Sequence, residues 1–170
     1  MSFTNKKFYF LILFFFHSSF AFGNEKLTFI DIDSIINETN AGKKILTNLQ
    51  QLNKKNLSKL KNNEAKIKKL EEDINKQKNV ISEEDLKVKI VNLRKEINAF
   101  QSKKEQLNSE FKKTRQDELN KFLKKITPLI EEYMKKNNIS FILNKKDIFI
   151  ASQKNNITKD IIGIINKKIK

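Results

Sequence analysis

A mainly α-helical chain, a long antiparallel coiled-coil hairpin arm on a small α+β body, is predicted by three features of this 170-residue sequence. Apolar residues recur at seven-residue spacing through its middle. That middle is almost free of Gly and Pro, and strand-forming runs are confined to the flanks.

The first apolar series is Leu46, Leu60, Ile67, Ile74 and Ile81, with Leu70 three residues after Ile67. The second is Ile90, Ile97 and Phe111, with Leu93, Phe100 and Leu107 three residues after a-type positions. Seven-residue spacing places such side chains on one narrow stripe of a helix, which needs a partner helix to cover it. The two series are out of phase across Ile81 to Ile90, so the turn is expected near Lys78 to Asp85. Ser82 followed by Glu83, Glu84 and Asp85 reads as a capped helix start, because carboxylates are favoured at the positive end of the helix dipole. Two long helices joined by so short a link run antiparallel. Asn40 is the expected cap of the first arm helix, which spans Ala41 to about Asn79. The second runs to about Lys136 with a kink expected at Pro128, which cannot donate to the residue four earlier. Asn53, Asn56, Asn63, Gln77, Lys104 and Thr114 fall where a tight seam would hold Leu or Ile, so the hairpin should bend and breathe.

Before the arm, Leu27 to Ile32 reads as a strand and Asp33 as the cap of a short helix through Asn37. After it, Ile139 to Leu143 and Ile148 to Ala151 flank the polar Asn144-Lys-Lys-Asp147, the pattern of a β-hairpin. Thr158 is the expected cap of a final helix whose Ile161, Ile162, Ile165 and Ile169 share a face. The chain is thus divided into a leader (1–23), a β-containing oligomerisation body (24–40 and 138–170) and a coiled-coil arm (41–137).

The leader assignment rests on Lys6 and Lys7, the apolar run Phe8 to Phe16, a polar break at His17-Ser-Ser, and Ala21-Phe22-Gly23. This is a secretory signal with a cleavage site near Gly23. Its apolar core is shorter than the roughly 20 residues needed to span a bilayer. Cleavage leaves 147 residues with 33 Lys+Arg and 20 Asp+Glu, hence a net charge of +13. The only histidine leaves with the leader, and the chain has no Cys or Trp. Zinc and haem ligation, imidazole catalysis and thiol chemistry therefore have no residues to carry them. The three glycines form no phosphate-binding loop. No cofactor, metal or catalytic residue is expected, and the chain reads as a non-enzyme.

The basic excess is almost all Lys, with Arg94 and Arg115 the only arginines. Lysines act as solvated point charges, so they suggest diffuse attraction more than recognition of a nucleic-acid sequence. Most of the excess is on the arm, since residues 41–137 hold 25 Lys+Arg and 14 Asp+Glu. A Lys-rich helix exterior is also what simple solubility requires. A body of that size is marginal alone, unless its strand residues fill a monomeric core capped by the final helix. Phe29, Ile30, Ile32, Phe141, Ile142, Leu143, Ile148, Phe149 and Ile150 make its strands apolar on both faces. Pooling strands from several copies into one barrel would cover them, and these nine are the expected oligomerisation residues.

Three places in the chain carry a likeness to a known family. They are the strand Leu27 to Ile32 leading through Asp33-Ser-Ile-Ile to Asn40-Ala-Gly-Lys43, the cysteine-free Lys-rich hairpin, and the ending with Ile157-Thr-Lys-Asp-Ile-Ile162. Together they resemble the Skp/OmpH family of periplasmic chaperones for outer-membrane proteins. The resemblance implies a homotrimer with a β-barrel body and three arms around a cavity, holding unfolded outer-membrane clients without ATP in the periplasm. Asn156 stands where the family commonly has Asp, and the arms carry few Arg, so no family anion site is transferred. Anionic membrane lipid remains a candidate partner, and specific nucleic acid does not. The competing readings are a secreted basic coiled-coil protein that binds anionic polymers or lipid, and a structural adaptor that docks another protein's helices.

Overall fold

The computed structural model describes residues 26–169; the predicted leader lies outside them. Six elements follow in order: β1 (Lys26–Ile30), α1 (Ile32–Glu38), α2 (Asn40–Gln77), α3 (Glu83–Lys136), β2 (Ile139–Asn144) and α4 (Thr158–Lys168). The fold is mainly helical, with the long α2 and α3 packed on each other and a two-stranded sheet at their base.

The local helix signals operate close to where the sequence places them, with the caps displaced. Asp31, not Asp33, caps α1: its backbone is extended and its carboxylate accepts from Ser34 N at 3.1 Å. Thr39, not Asn40, caps α2, its hydroxyl accepting from Gly42 N at 3.1 Å. In each case a capable side chain stands one or two residues earlier, already in the extended conformation that a cap requires. Thr39 also ends α1, since its N–H bonds Ile35 O while its carbonyl receives Lys43 N. One residue therefore makes the corner between two helices. Ser82 caps α3 as expected, accepting from Asp85 N and donating to Asp85 Oδ2. Pro128 lies inside α3 without ending it.

The corner at Thr39 brings α1 and α2 so close that a Cβ built on Gly42 would stand 2.0 Å from Ile36 O. No side chain fits there. Gly163, within α4, meets nothing within 4 Å.

The expected hairpin of Ile139–Leu143 with Ile148–Ala151 does not form. β2 instead pairs in parallel with β1, with Leu27 opposite Phe141 and Ile30 opposite Asn144. Residues 145–147 form a 3-10 turn, held by Lys145 on Asp31 at 2.9 Å and Lys146 on Asp33 at 2.8 Å. Those ion pairs direct the turn toward α1, and Ile148–Ala151 leaves without pairing to β2. The strand predicted over Leu27–Ile32 ends at Ile30, and Ile32 opens α1.

The core gathers Ile30, Ile35, Phe122, Ile126, Ile139, Ile157, Ile161, Ile165 and Ile169. It draws on both chain ends and on the base of α3. The final helix is not capped by Thr158. Asn156 Oδ1 takes the Thr158 N–H at 3.0 Å and the hydroxyl at 2.6 Å, while Thr158 Oγ1 accepts from Asp31 N at 2.9 Å. Ile157 N donates to Phe29 O, and Asn166 Oδ1 accepts from Asn40 N.

The glycines give opposite expectations. Gly42→Ala should destabilise the fold by about 1–3 kcal/mol, the usual cost of overpacking, because two backbones must part. Gly163→Ala should stabilise it by about 0.5–1 kcal/mol through helix propensity. Thermal unfolding of the two variants checks both signs.

Candidate client-binding arm and assembly surface

The arm's seam follows from where side chains are covered. The covered or partly covered residues of α2 include Ile45, Leu49, Leu52, Asn56, Leu60, Asn63, Ile67 and Ile74. From Ile45 to Ile67 steps of three and four alternate except between Leu52 and Leu60, where two fours occur together. Such an insertion locally unwinds a heptad stripe. Counting back by sevens from Leu60 therefore fails: Leu46 is 37% exposed, and Asn53 is exposed too. Leu70 lies at the seam's margin, 40% exposed. On α3, Ile90, Leu93, Ile97, Phe100 and Phe111 are partly covered and Leu107 is buried. Lys104 is exposed.

Two grooves of about 280 Å³ each open along the seam. One brings Ile67 of α2 beside Phe100 of α3; the other, nearer the base, brings Ile45 beside Phe122. This antiparallel register sets Asn56 level with Phe111. Asn56 is only 9% exposed, yet among the described residues no fully buried side-chain polar atom lacks a partner. Its amide therefore keeps some exposure to solvent at the seam's edge.

The nine body residues expected to join copies divide into two groups. Phe29 and Ile30 are buried within their own chain, and Ile32, Ile142 and Ile148 are partly covered. Phe141, Leu143, Phe149 and Ile150 are exposed, with Phe149 at 103% and Ile150 at 85%. The edges of the sheet differ as well. Asn156 bridges to Phe29 along the outer side of β1, whereas β2 pairs only with β1 among the described residues. An apolar groove of about 400 Å³ lies beside the sheet, lined by Ile30, Ile32, Leu123, Ile130, Met134 and Ile142 among others. One copy thus presents an unpaired strand edge and uncovered large apolar side chains.

Electrostatics tighten the same region. Asp31 is the point where three segments meet, through its α1 cap, its N–H to Thr158 and its ion pair with Lys145. The hydrogen bond from Lys145, followed by that from Ser34 N, holds its carboxyl below the ordinary 3.8. Tyr133 donates to Asp160 Oδ2 at 2.8 Å, tying α3 to α4. Burial, reinforced by that acceptor, pushes its phenol up to about 12.

The sequence matches the family described as outer membrane protein (OmpH-like) over residues 26–165. The chain belongs to the OmpH-like family. Among solved structures it is similar to an OmpH-like protein of Caulobacter crescentus CB15, a candidate outer membrane chaperone, with a TM-score of 0.76. The two are 16% identical, and the similarity covers 86% of each chain. No curated protein matches the chain. The OmpH-like fold is thus shared at a level of identity where few side chains are.

Sequence reasoning did not single out the residues that rim the two seam grooves, chiefly Lys44, Lys66, Lys103 and Lys125. A signal was present. Phe100, Phe111 and Phe122 stand at eleven-residue intervals on α3, and Lys44, Lys55 and Lys66 do so on α2.

Two measurements bear on this region. Replacing Asn56 by Leu should raise stability by about 1–2 kcal/mol, since a covered amide gives way to an apolar group of similar size, as chemical denaturation would show. The pH profile should fall on both sides. Because Asp31 ionises more readily folded than unfolded, its contribution is present above about pH 4 and fades as pH drops through its lowered value. Tyr133 contributes below about pH 10, and its share is lost as pH climbs toward 12. Asp31→Asn should flatten the acid limb alone, and Tyr133→Phe the alkaline limb alone.

Proposed function

We propose that this OmpH-like chain is a periplasmic chaperone for outer-membrane proteins that works as an ATP-independent holdase, its arms surrounding an unfolded client. Family membership carries the reading, and the arm makes it physically coherent. An unfolded outer-membrane protein exposes apolar strands prone to pair with one another. Long helices with a polar, partly exposed seam adapt to a changing client. Many exposed lysines add weak attractions whose combined effect is avidity.

The reading includes a homotrimer joined through the body. The exposed Phe141, Leu143, Phe149 and Ile150 and the open edge of β2 support that part, because another copy's strand satisfies both the apolar surface and the backbone groups. Cleavage of the leader near Gly23 and release into the periplasm complete it. The basic arm also favours a second reading, binding of anionic lipid or polymer.

Light scattering separates the two. The leader-free chain should suppress aggregation of a urea-diluted outer-membrane β-barrel protein, and should still do so in about 0.3 M salt, where binding driven by counterion release collapses. Single Lys→Ala changes along the arm should alter the half-maximal concentration by less than twofold. Loss of suppression in salt, or a tenfold loss from one lysine, would favour the anion-binding reading. Multi-angle scattering should give three times the protomer mass, and Phe149→Asp should lower it.

A further inference from the structure

The two seam grooves are the same construction made twice. On α2, Lys66 and Ile67 of the outer groove are repeated 22 residues earlier as Lys44 and Ile45 in the inner one. On α3, Glu96, Phe100 and Lys103 are repeated 22 residues later as Glu118, Phe122 and Lys125. The shifts are equal and opposite, as an antiparallel pair requires if the facing register is to be kept. Twenty-two residues is two eleven-residue periods, which return to nearly the same face of a straight helix. The eleven-residue position between them is spoiled: Asn56 takes the place of the isoleucine and Leu107 that of the glutamate. The arm therefore carries two matched grooves of about 280 Å³ on either side of that position.

Each groove combines an apolar floor with a basic rim. The outer has Lys66 and Lys103 with Glu96; the inner has Lys44, Lys121 and Lys125 with Glu118, which is paired to Lys121 at 2.9 Å. Among the described residues, Lys44, Lys66, Lys103 and Lys125 have no carboxylate partner within 4 Å. Ala99 occupies the position of Lys121, so the outer groove lacks the third lysine of the inner one. Such a site accepts a bulky apolar or aromatic side chain with a carboxylate nearby.

Spacing identifies the occupant. At about 1.5 Å per residue the grooves are about 33 Å apart. An extended strand covers that distance in about ten residues at about 3.3 Å each, and an even number keeps both side chains on one face. A transmembrane β-strand is about 9–11 residues long and has aromatic residues concentrated at its two ends. We propose that the paired grooves form a two-point cradle for one extended strand of an unfolded outer-membrane protein, holding the aromatic side chain at each end. This rests on the chaperone reading and specifies how a client strand lies on an arm.

The test uses the leader-free chain and fluorescent synthetic peptides of alternating Thr and Val. One carries Tyr beside Asp at two places ten residues apart, the second has the same groups six apart, and the third has one such place only. Fluorescence anisotropy should show the ten-residue peptide binding at least tenfold tighter than either other, the avidity of two linked weak contacts. Ala99→Leu, at an exposed helical position, should fill the outer groove and abolish that advantage, while the single-site peptide, left with the inner groove, weakens by no more than about twofold. Circular dichroism should confirm that its helix content is retained. Equal binding at six and ten residues, or an advantage that survives Ala99→Leu, would overturn the cradle. If suppression of client aggregation persists alongside either result, the cradle alone falls. If the wild-type chain suppresses nothing, the chaperone reading falls, whatever the peptides show.

Discussion

The parallel pairing of β1 with β2 is the constraint on which the rest of the structure depends. Two parallel strands cannot be joined by a tight turn and need a crossover, and here the crossover is the whole helical hairpin. Because both strands point the same way, α2 must leave the sheet and α3 must return to its start. The arm is therefore anchored at both ends in one small body. A two-stranded sheet is not stable by itself. It persists because Ile35, Ile126, Ile161 and Ile165, from α1, α3 and α4, are fully buried around it. Asp31 and Thr158 fasten the first strand's exit to the last helix's start, closing the fold across 127 residues of chain.

The arm obeys a different balance. Its apolar stripe is narrow, so most of each helix faces water and carries Lys, Glu, Asn and Gln. Where the body is closely packed, the seam admits an amide at Asn56 and open grooves beside Phe100 and Phe122. Each polar or small residue in the seam weakens the pairing of α2 with α3, and the same substitutions create the surface relief that a smooth coiled coil lacks.

Elements whose causes are local were legible in the sequence. The extents of α2 and α3 and the turn between them follow from periodicity and from the Ser82 cap. The other caps were displaced because polar neighbours compete: Asp31 with Asp33, and Thr39 with Asn40. Backbone conformation decided in favour of the earlier residue each time. The 148–151 segment was misread because a strand's partner is a non-local fact. β2 takes β1, more than a hundred residues away, and Lys145 and Lys146 are drawn to Asp31 and Asp33, an attraction that spacing alone does not reveal. Leu46 was placed on the seam by a strict seven-residue count that two successive four-residue steps defeat. The groove repeat requires both helices and their register together, although its eleven-residue Phe and Lys intervals were visible in each helix separately.

A holdase of the kind proposed must bind weakly enough at each point to let go, and the arm's construction is consistent with that. No groove formed between two helices, open to solvent on one side, can enclose a ligand on all sides as a cleft in a thick domain does. Exposed lysines add attraction that water and salt screen. Under the proposed function, strong retention would come from many such contacts made together, by several arms on one client. It would be lost once the client folds and withdraws its strands into its own barrel. On this view the exposed Phe149 and Ile150 at the base serve the same end. They present a more exposed apolar surface than any site on the arm does, which under the proposed homotrimer another copy would cover.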